Sequence, residues 1–333
     1  MLDDRKATIL RAVVEEYIHS AQPVGSGHVA AAPGVEVSPA TVRNDMAVLE
    51  QEGYLVQPHT SAGRIPTDKG YRYFVDALVG RASLNPASAQ QVRSFFNTAH
   101  GEIEQMLSDT SRLLSSLTDS AAVVVGPPVE RASVRSAQLV GLAPRTVLFV
   151  AVLSNGSVEK RTLELSDEVT DAQVASASAL LAAKVVGLRL GDPVSVPPSG
   201  DDVVDVLVRV ASAAIGTPFP SDSDSVFVGG TARMAGAFTA VDTVRQVLTI
   251  LEQQLVVVSL LRDVLDRGLT VAIGAETGME TLAECSIVVA PYEVEGQPAG
   301  TIGVLGPTRM NYPQALAAVA VVSKRLGQRL SEG

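Results

Sequence analysis

Ser38-Pro39-Ala40-Thr41-Val42-Arg43-Asn44-Asp45-Met46-Ala47-Val48-Leu49-Glu50-Gln51-Glu52-Gly53 opens with Ser at an N-cap and Pro at the first helical position, and it closes on Gly. That order predicts one helix running to about Glu52 with a left-handed stop at Gly53. At 100° per residue, Val42, Met46 and Leu49 share one side, which reads as the packed side. Ala40, Asn44, Ala47 and Gln51 lie opposite, with Arg43 on the flank. This outer face suits the major groove of DNA. Arg43 offers two donors to a guanine edge, Asn44 pairs with adenine through donor and acceptor, and Ala40 and Ala47 permit close approach, with a methyl for thymine. Ser38 and Thr41 read as phosphate contacts at a helix N-terminus, where backbone N–H groups favour anions.

Upstream, Ile9, Leu10, Val13, Val14, Tyr17 and Ile18 recur at helical spacing. Gln22-Pro23-Val24-Gly25 breaks that helix, and Ser26 is expected to cap a short second one over 27–32. Downstream, 54–57 reads as a strand, Pro58 to Gly63 as a polar turn and Arg64-Ile65 as a returning strand, with Thr67 the N-cap of a helix through Leu78. Two helices, a Ser-Pro helix and a ribbon follow one another in the order of a winged helix-turn-helix, whose third helix enters the major groove. The turn residues His59, Thr60, Ser61 and Arg64 then belong to the wing, and Lys69 and Arg72 extend a cationic trail. Asp45, Glu50 and Glu52 are expected to point away from the phosphates. The competing reading is a solvated helix whose polar face binds nothing.

Bulk charge gives no help to the DNA reading. The chain of 333 residues has 26 Lys+Arg against 36 Asp+Glu, net −10. Residues 1–80 hold seven Lys/Arg and ten Asp/Glu, net −3. Placement of a few cations must therefore carry any affinity. Hydrophobic residues at 46% exclude wholesale disorder, and the length predicts two or three domains. The single Cys285 excludes an internal disulfide framework and a multi-cysteine metal cluster. A charged start at 1–11 and a longest late apolar run of only 255–261 point to a soluble cytoplasmic protein with no membrane partner.

The fold class expected is α+β multidomain: a winged helix-turn-helix head over 1–80, a connecting helical region over 81–118, an αβ domain in two halves (119–169 plus 269–333), and a mainly helical insert over 170–268. β-rich runs at 121–125, 137–142, 146–153 and 157–165, with a Ser154-Asn155-Gly156 turn, mark the first half. Runs at 269–273, 286–292 and 299–305 mark the second. Val244, Val247, Leu248, Leu251, Leu255 and Val258 form a stripe that reads either as a seam between two copies or as core. Gly229-Gly230 reads as a turn needing positive φ, and Gly300, Gly303 and Gly306 as bulges or close backbone packing. Arg309 is expected to pair with an acid such as Glu276. His19, His28, His59 and His100 lack metal-ligand spacing, and no Ser stands in a G-x-S-x-G elbow. No catalytic, cofactor-binding or metal residue is nominated, and the chain reads as no enzyme.

Pro23-Val24-Gly25-Ser26, 38–46 and Gln57-Pro58-His59-Thr60-Ser61-Ala62-Gly63-Arg64-Ile65-Pro66-Thr67-Asp68-Lys69-Gly70-Tyr71-Arg72 closely resemble the heat-inducible transcription repressor family HrcA. Val226-Phe227-Val228-Gly229-Gly230-Thr231, Ile273-Gly274-Ala275-Glu276 and 303–312 resemble that family's C-terminal motifs. The resemblance implies a homodimeric repressor of chaperone operons that binds an inverted-repeat operator, CIRCE, through a winged helix. It also implies a GAF-like αβ domain, a dimerisation domain inserted into it, and a GroEL-type chaperonin partner whose loss on heat stress releases repression. One departure is Gly27-His28, where a basic or polar residue is expected after Pro-Val-Gly-Ser; the phosphate contact from that second helix is then either missing or taken over by His28. The alternative function is a small-molecule-responsive winged-helix regulator with an effector pocket in the GAF-like domain.

Overall fold

The computed structural model describes residues 2–59, 62–78, 82–98, 103–127, 133–153, 158–189, 192–216, 226–236, 238, 241–268 and 270–332. The chain begins with α1 (Asp4–Ser20), capped by the Asp3 carboxylate on the Lys6 N–H and stopped by Ala21 at φ 53°. The apolar positions Ile9, Leu10, Val13 and Val14 are buried. In α2 (Ser26–Ala30) Gly25 is the N-cap without a side-chain bond, so Ser26 lies inside the helix rather than capping it. Ser38 caps α3 (Pro39–Gln51), its Oγ accepting from the Thr41 N–H at 3.2 Å, and Gly53 takes φ +78°. Val42, Met46 and Leu49 are buried.

A short hairpin follows, β1 (Leu55–Val56) antiparallel to β2 (Ile65–Pro66). Val24 joins it beside β2, exchanging two 2.9 Å backbone bonds with Arg64. This bridge explains Gly63, because a Cβ there would collide with the Val24 carbonyl. Next comes α4 (Asp68–Leu78), and Thr67 Oγ1 accepts from the Gly70 N–H at 3.2 Å. Gly70 passes beneath Tyr54 with no room for a Cβ against its carbonyl.

After α5 (Pro86–Thr98) and α6 (Ile103–Thr118), β3 (Ala121–Val125) enters a five-stranded antiparallel sheet. Its order is β7 (Val226–Gly229), β3, β10 (Gln297–Pro307), β9 (Cys285–Val294), β8 (Val271–Ile273). Ala122, Val124, Val271, Ile273, Val288, Ile302 and Val304 share a core with α6, α12 (Tyr312–Glu332) and the N-terminal helices. On the opposite face Ala121, Val123, Val125, Ala272, Ile287 and Val289 share a core with α9 (Thr231–Ala235), α10 (Val241–Glu252) and α11 (Gln254–Asp266). β3, an interior strand covered on both faces, buries all five of its residues, which is why it is the unbroken run Ala-Ala-Val-Val-Val. Gly230 takes φ +77° where a Cβ would overlap Ser115, and Gly300 lies against the Val125 carbonyl and the Tyr292 ring. Cys285 is buried.

The strands β4 (Val134–Ala143), β5 (Thr146–Leu153) and β6 (Val158–Glu164) form a separate three-stranded sheet, in that order. With α7 (Asp171–Val185) and α8 (Asp202–Gly216) they enclose a core of their own. The expected partition, which grouped these strands with β3 and the helices of 170–268 together, therefore differs from the observed one. The reason is visible in the pattern: β5 alternates buried and half-buried residues, the mark of a sheet packed on one side. The stripe also divides. Val247, Leu251 and Val258 are buried against the central sheet, and Gln253 separates α10 from α11. Leu255, beyond that break, is 69% exposed. Ser154-Asn155-Gly156 and His100 lie outside the described residues. Among the described residues no single helix is long and apolar enough to cross a membrane.

Candidate nucleic-acid interface

The outward face of α3 carries Ala40, Arg43 and Asn44 exposed, with Ala47 and Thr41 half-buried. Exposed Ser38 stands at its N-terminus, its Oγ 3.0 Å from Thr41 Oγ1. In this first turn Pro39 carries no N–H and the Thr41 N–H is taken by Ser38 Oγ, so the Ala40 N–H is the amide without a preceding helical carbonyl to bond, and the helix dipole favours an anion there. Arg43 has no acid partner among the described residues, whereas Arg5, Lys6, Arg64 and Arg72 each hold one. His59 is exposed at the hairpin turn; Thr60 and Ser61 lie outside the described residues.

Two acids of this region have their carboxylates paired, Asp45 and Glu50. Asp45 is buried and takes two bonds from Arg5, at 2.8 and 3.2 Å, which raise the guanidinium's affinity for its proton. Glu50 accepts from Arg64 Nε at 3.0 Å. Glu52 is exposed at the end of α3, and its carbonyl accepts from Lys69 Nζ at 2.8 Å. The Lys69 ammonium also sits 4.4 Å above the Tyr54 ring and remains exposed.

Two expected DNA contacts are committed elsewhere. Arg64 is half-buried, and its tie to Glu50 locks the hairpin to α3. Arg72 turns away from the α3 face into the C-terminal part of the chain, where its Nε donates to Glu276 at 2.9 Å and its Nη2 to the Val271 carbonyl at 2.8 Å. The bond to Glu276 above all holds the Arg72 pKa above its ordinary value. Glu276, expected beside Arg309, is thus gripped by Arg72. Sequence reasoning missed Arg5, Asp68 and Glu276 as organisers of this region, because each acts on a residue distant in the chain. Among the described residues no group of three or more His, Cys, Asp or Glu is placed to hold a metal.

The family described as HrcA protein C terminal domain matches residues 104–316. The chain is 40% identical over 342 residues to the heat-inducible transcription repressor HrcA of Nocardia farcinica, covering 99% of this chain and 97% of that one. It belongs to the HrcA family of heat-inducible transcription repressors. The HrcA proteins of Rhodococcus jostii and Streptomyces avermitilis are 39% and 38% identical, with 99% and 100% of this chain covered and 99% and 100% of theirs. A crystal structure described as a hypothetical protein at 2.2 Å resolution superposes with TM-score 0.72 at 23% identity, covering 100% of this chain and 99% of that one, so the two share a fold. Membership of the HrcA family makes the chain a transcription repressor and not an enzyme.

Proposed function

We propose that this repressor acts as a homodimer on an inverted-repeat operator of the CIRCE type that controls heat-shock chaperone genes, and that a GroEL-type chaperonin supports its active form. The observation that carries the DNA reading is Arg43, an exposed cation with no acid partner among the described residues, beside Asn44 on the outward face of a helix capped by Ser38. In this reading residues 2–78 are a winged helix-turn-helix, and α3 enters the major groove. Arg43, Asn44, Ala40 and Ala47 face bases; Ser38 and Thr41 face phosphate. His59, Thr60, Ser61 and Lys69 meet the flanking backbone. In this reading Arg64 ties the hairpin to α3 and Arg72 ties α4 to the C-terminal part of the chain, and neither touches DNA.

Residues 103–127 with 226–332 would be the GAF-like body, and 133–216 the inserted dimerisation unit. The uncovered face of the three-stranded sheet supports that assignment. Val140, Leu142 and Val158 are exposed, and Leu148, Val150 and Val152 lie half-buried between them. The apolar stripe along β5 is rimmed by Gln138, Lys160 and Thr162, and an exposed apolar patch with a polar rim is the pattern of a protein interface. The dimer's formal charge is twice −10, or −20, so binding depends on a few concentrated cations and falls steeply with salt.

Fluorescence anisotropy of the purified protein against an inverted-repeat CIRCE duplex and a scrambled duplex, with and without chaperonin, tests the proposal. Tight, selective binding that rises with chaperonin is the expected result. Equal weak binding to both duplexes in every condition contradicts it. One observation favours a second reading, a ligand-responsive regulator: a cleft of about 440 Å³ between α1, α4 and the turn before α12, lined by Glu15, His19, Phe74, Arg309 and Asn311. Melting shifts with small molecules would point that way.

A further inference from the structure

Between the head and the body lies one short 3-10 turn, Gly274–Thr277, directly after edge strand β8. Gly274 takes φ +52°, and a Cβ on it would collide with the Asp68 carboxylate at the start of α4. That carboxylate accepts the Ala275 N–H at 3.2 Å. One turn further along α4, Arg72 bonds both oxygens of Glu276 and the Val271 carbonyl. Glu276 is itself fixed, because its Oε2 also accepts the Ile273 N–H at 3.0 Å and its carbonyl accepts from Arg267 at 2.8 Å. The Arg72 and Glu276 side chains are 24% and 33% exposed, so solvent and salt screen the pair only partly. Beside it the Tyr71 and Tyr312 rings lie 5.7 Å apart, and one apolar core runs on from α1 and α3 through α4 into the sheet.

The same helix α4 is built into the head, since Gly70 lies beneath Tyr54, and Tyr54 follows directly on the end of α3. Rotation of α3 relative to the body must therefore break contacts made by Asp68 and Arg72. A bidentate guanidinium–carboxylate pair fixes direction as well as distance. We infer that Asp68, Arg72, Gly274 and Glu276 form a positioning clamp that sets the angle at which each α3 is presented, and so the half-site spacing that the dimer accepts. This inference rests on the DNA-binding dimer proposed above. One inserted base pair moves a half-site by about 3.4 Å and turns it by about 35°, from a helical turn of roughly 34–36 Å and 10–10.5 base pairs. A clamped pair of heads resists that change, and a loosened pair follows it.

The test compares wild type with Glu276→Gln, which keeps the shape and removes the charge, and with Arg72→Lys, which keeps the charge and removes the fork. Affinity is measured for a single half-site duplex and for inverted repeats with the natural spacer and spacers one and two base pairs longer or shorter. Wild type should prefer the natural spacer, with coupling between half-sites of roughly 5–150-fold. Both variants should bind the single half-site as wild type does and lose most of the spacer preference. An unchanged spacer profile in both variants overturns the clamp, even if their melting temperatures fall. A second readout needs no DNA: spin labels on Glu36→Cys in the head and Gln297→Cys in the body report the distance distribution in the free protein, with Cys285 buried away from the label. A distribution that is narrow in wild type and broad in Glu276→Gln supports the clamp, and equal narrow distributions refute it. If wild type binds none of the duplexes, the DNA reading fails while the distance measurement still decides the clamp.

Discussion

Arg5 reaches from the first turn of α1 to Asp45 in the middle of α3, Nε to Oδ2 at 2.8 Å and Nη2 to Oδ1 at 3.2 Å. The contact neutralises an acid two positions from Arg43 and ties the reading helix to the helix behind it. An unpaired carboxylate there would repel phosphates over a Debye length of about 10 Å at 0.1 M salt. Arg5→Ala should weaken binding to cognate and random duplexes alike, with a deficit that shrinks as salt rises. It should also lower the melting temperature more than Arg112→Ala, whose pair with Asp109 is open to water. Anisotropy at two salt concentrations and thermal melts of both variants check this. Equal melting losses would mean that the Arg5 pair contributes no more than a surface contact.

Backbone proximity at Gly70 gives a prediction about stability. A Cβ there meets the Tyr54 carbonyl, an atom that moves only if the hairpin moves. Gly70→Ala should cost about 1–3 kcal/mol, the range for overpacking. Gly27→Ala is the control: nothing lies within 4 Å of its Cβ, and it is inside α2. There the helix should gain about 0.5–1 kcal/mol. Urea denaturation of the two variants should move the midpoints in opposite directions.

The divided stripe separates core from surface. Leu251→Ala should cost about 2–5 kcal/mol because it empties a packed site against the central sheet. Leu255→Ala, at an exposed position, should stay within about 0.5 kcal/mol. In the proposed dimer, association should track the other sheet: Val150→Asp with Val158→Asp should yield a folded monomer by light scattering, whereas Leu255→Asp should remain a dimer. A dimer with both sheet residues replaced would move the seam elsewhere.

Stability should fall on the alkaline side. Burial pushes the Cys285 thiol up to about 12 from a model-compound 9.0, with Glu284 adding to the effect. Burial likewise raises Tyr71, Tyr292 and Tyr312 above 10.0. Each group is neutral in the folded state where the unfolded chain would ionise, so the unfolded chain binds fewer protons. Stability is therefore fully present below about pH 9 and is lost as pH rises from there toward 12. Urea midpoints measured from pH 7 to 11 should decline, and Cys285→Ala should flatten the first part of that decline. A flat profile would contradict the burial of these groups.

Local signals made α3 legible in the sequence: a Ser-Pro start, a Gly stop and three apolar positions at helical spacing all act within one segment. The hairpin and the helix after it were legible for the same reason. The sheet partition was not. Telling β3 from β5 requires weighing an unbroken apolar run against an alternating one, and the strands stand close in sequence though they join different sheets. The partner of Arg72 was not legible, because Arg72 lies at helical spacing from Lys69 while Glu276 is 204 residues away. The partner of Arg64 was hidden too, because Glu50, fourteen residues earlier, meets it only once the hairpin folds back. Placement of a charge on a helix face was readable; commitment of that charge to a distant acid was not.

In the proposed complex α3 reads bases through Arg43. The most direct measurement selects preferred sequences from a randomised duplex pool with wild type and with Arg43→Ala. Wild type should enrich a two-fold inverted repeat. Arg43→Ala should lose the preference at one base pair in each half-site, worth about 1–3 kcal/mol, and keep the rest of the site. The same consensus from both proteins, with affinity lowered equally on every sequence, would make Arg43 a phosphate contact and contradict the account.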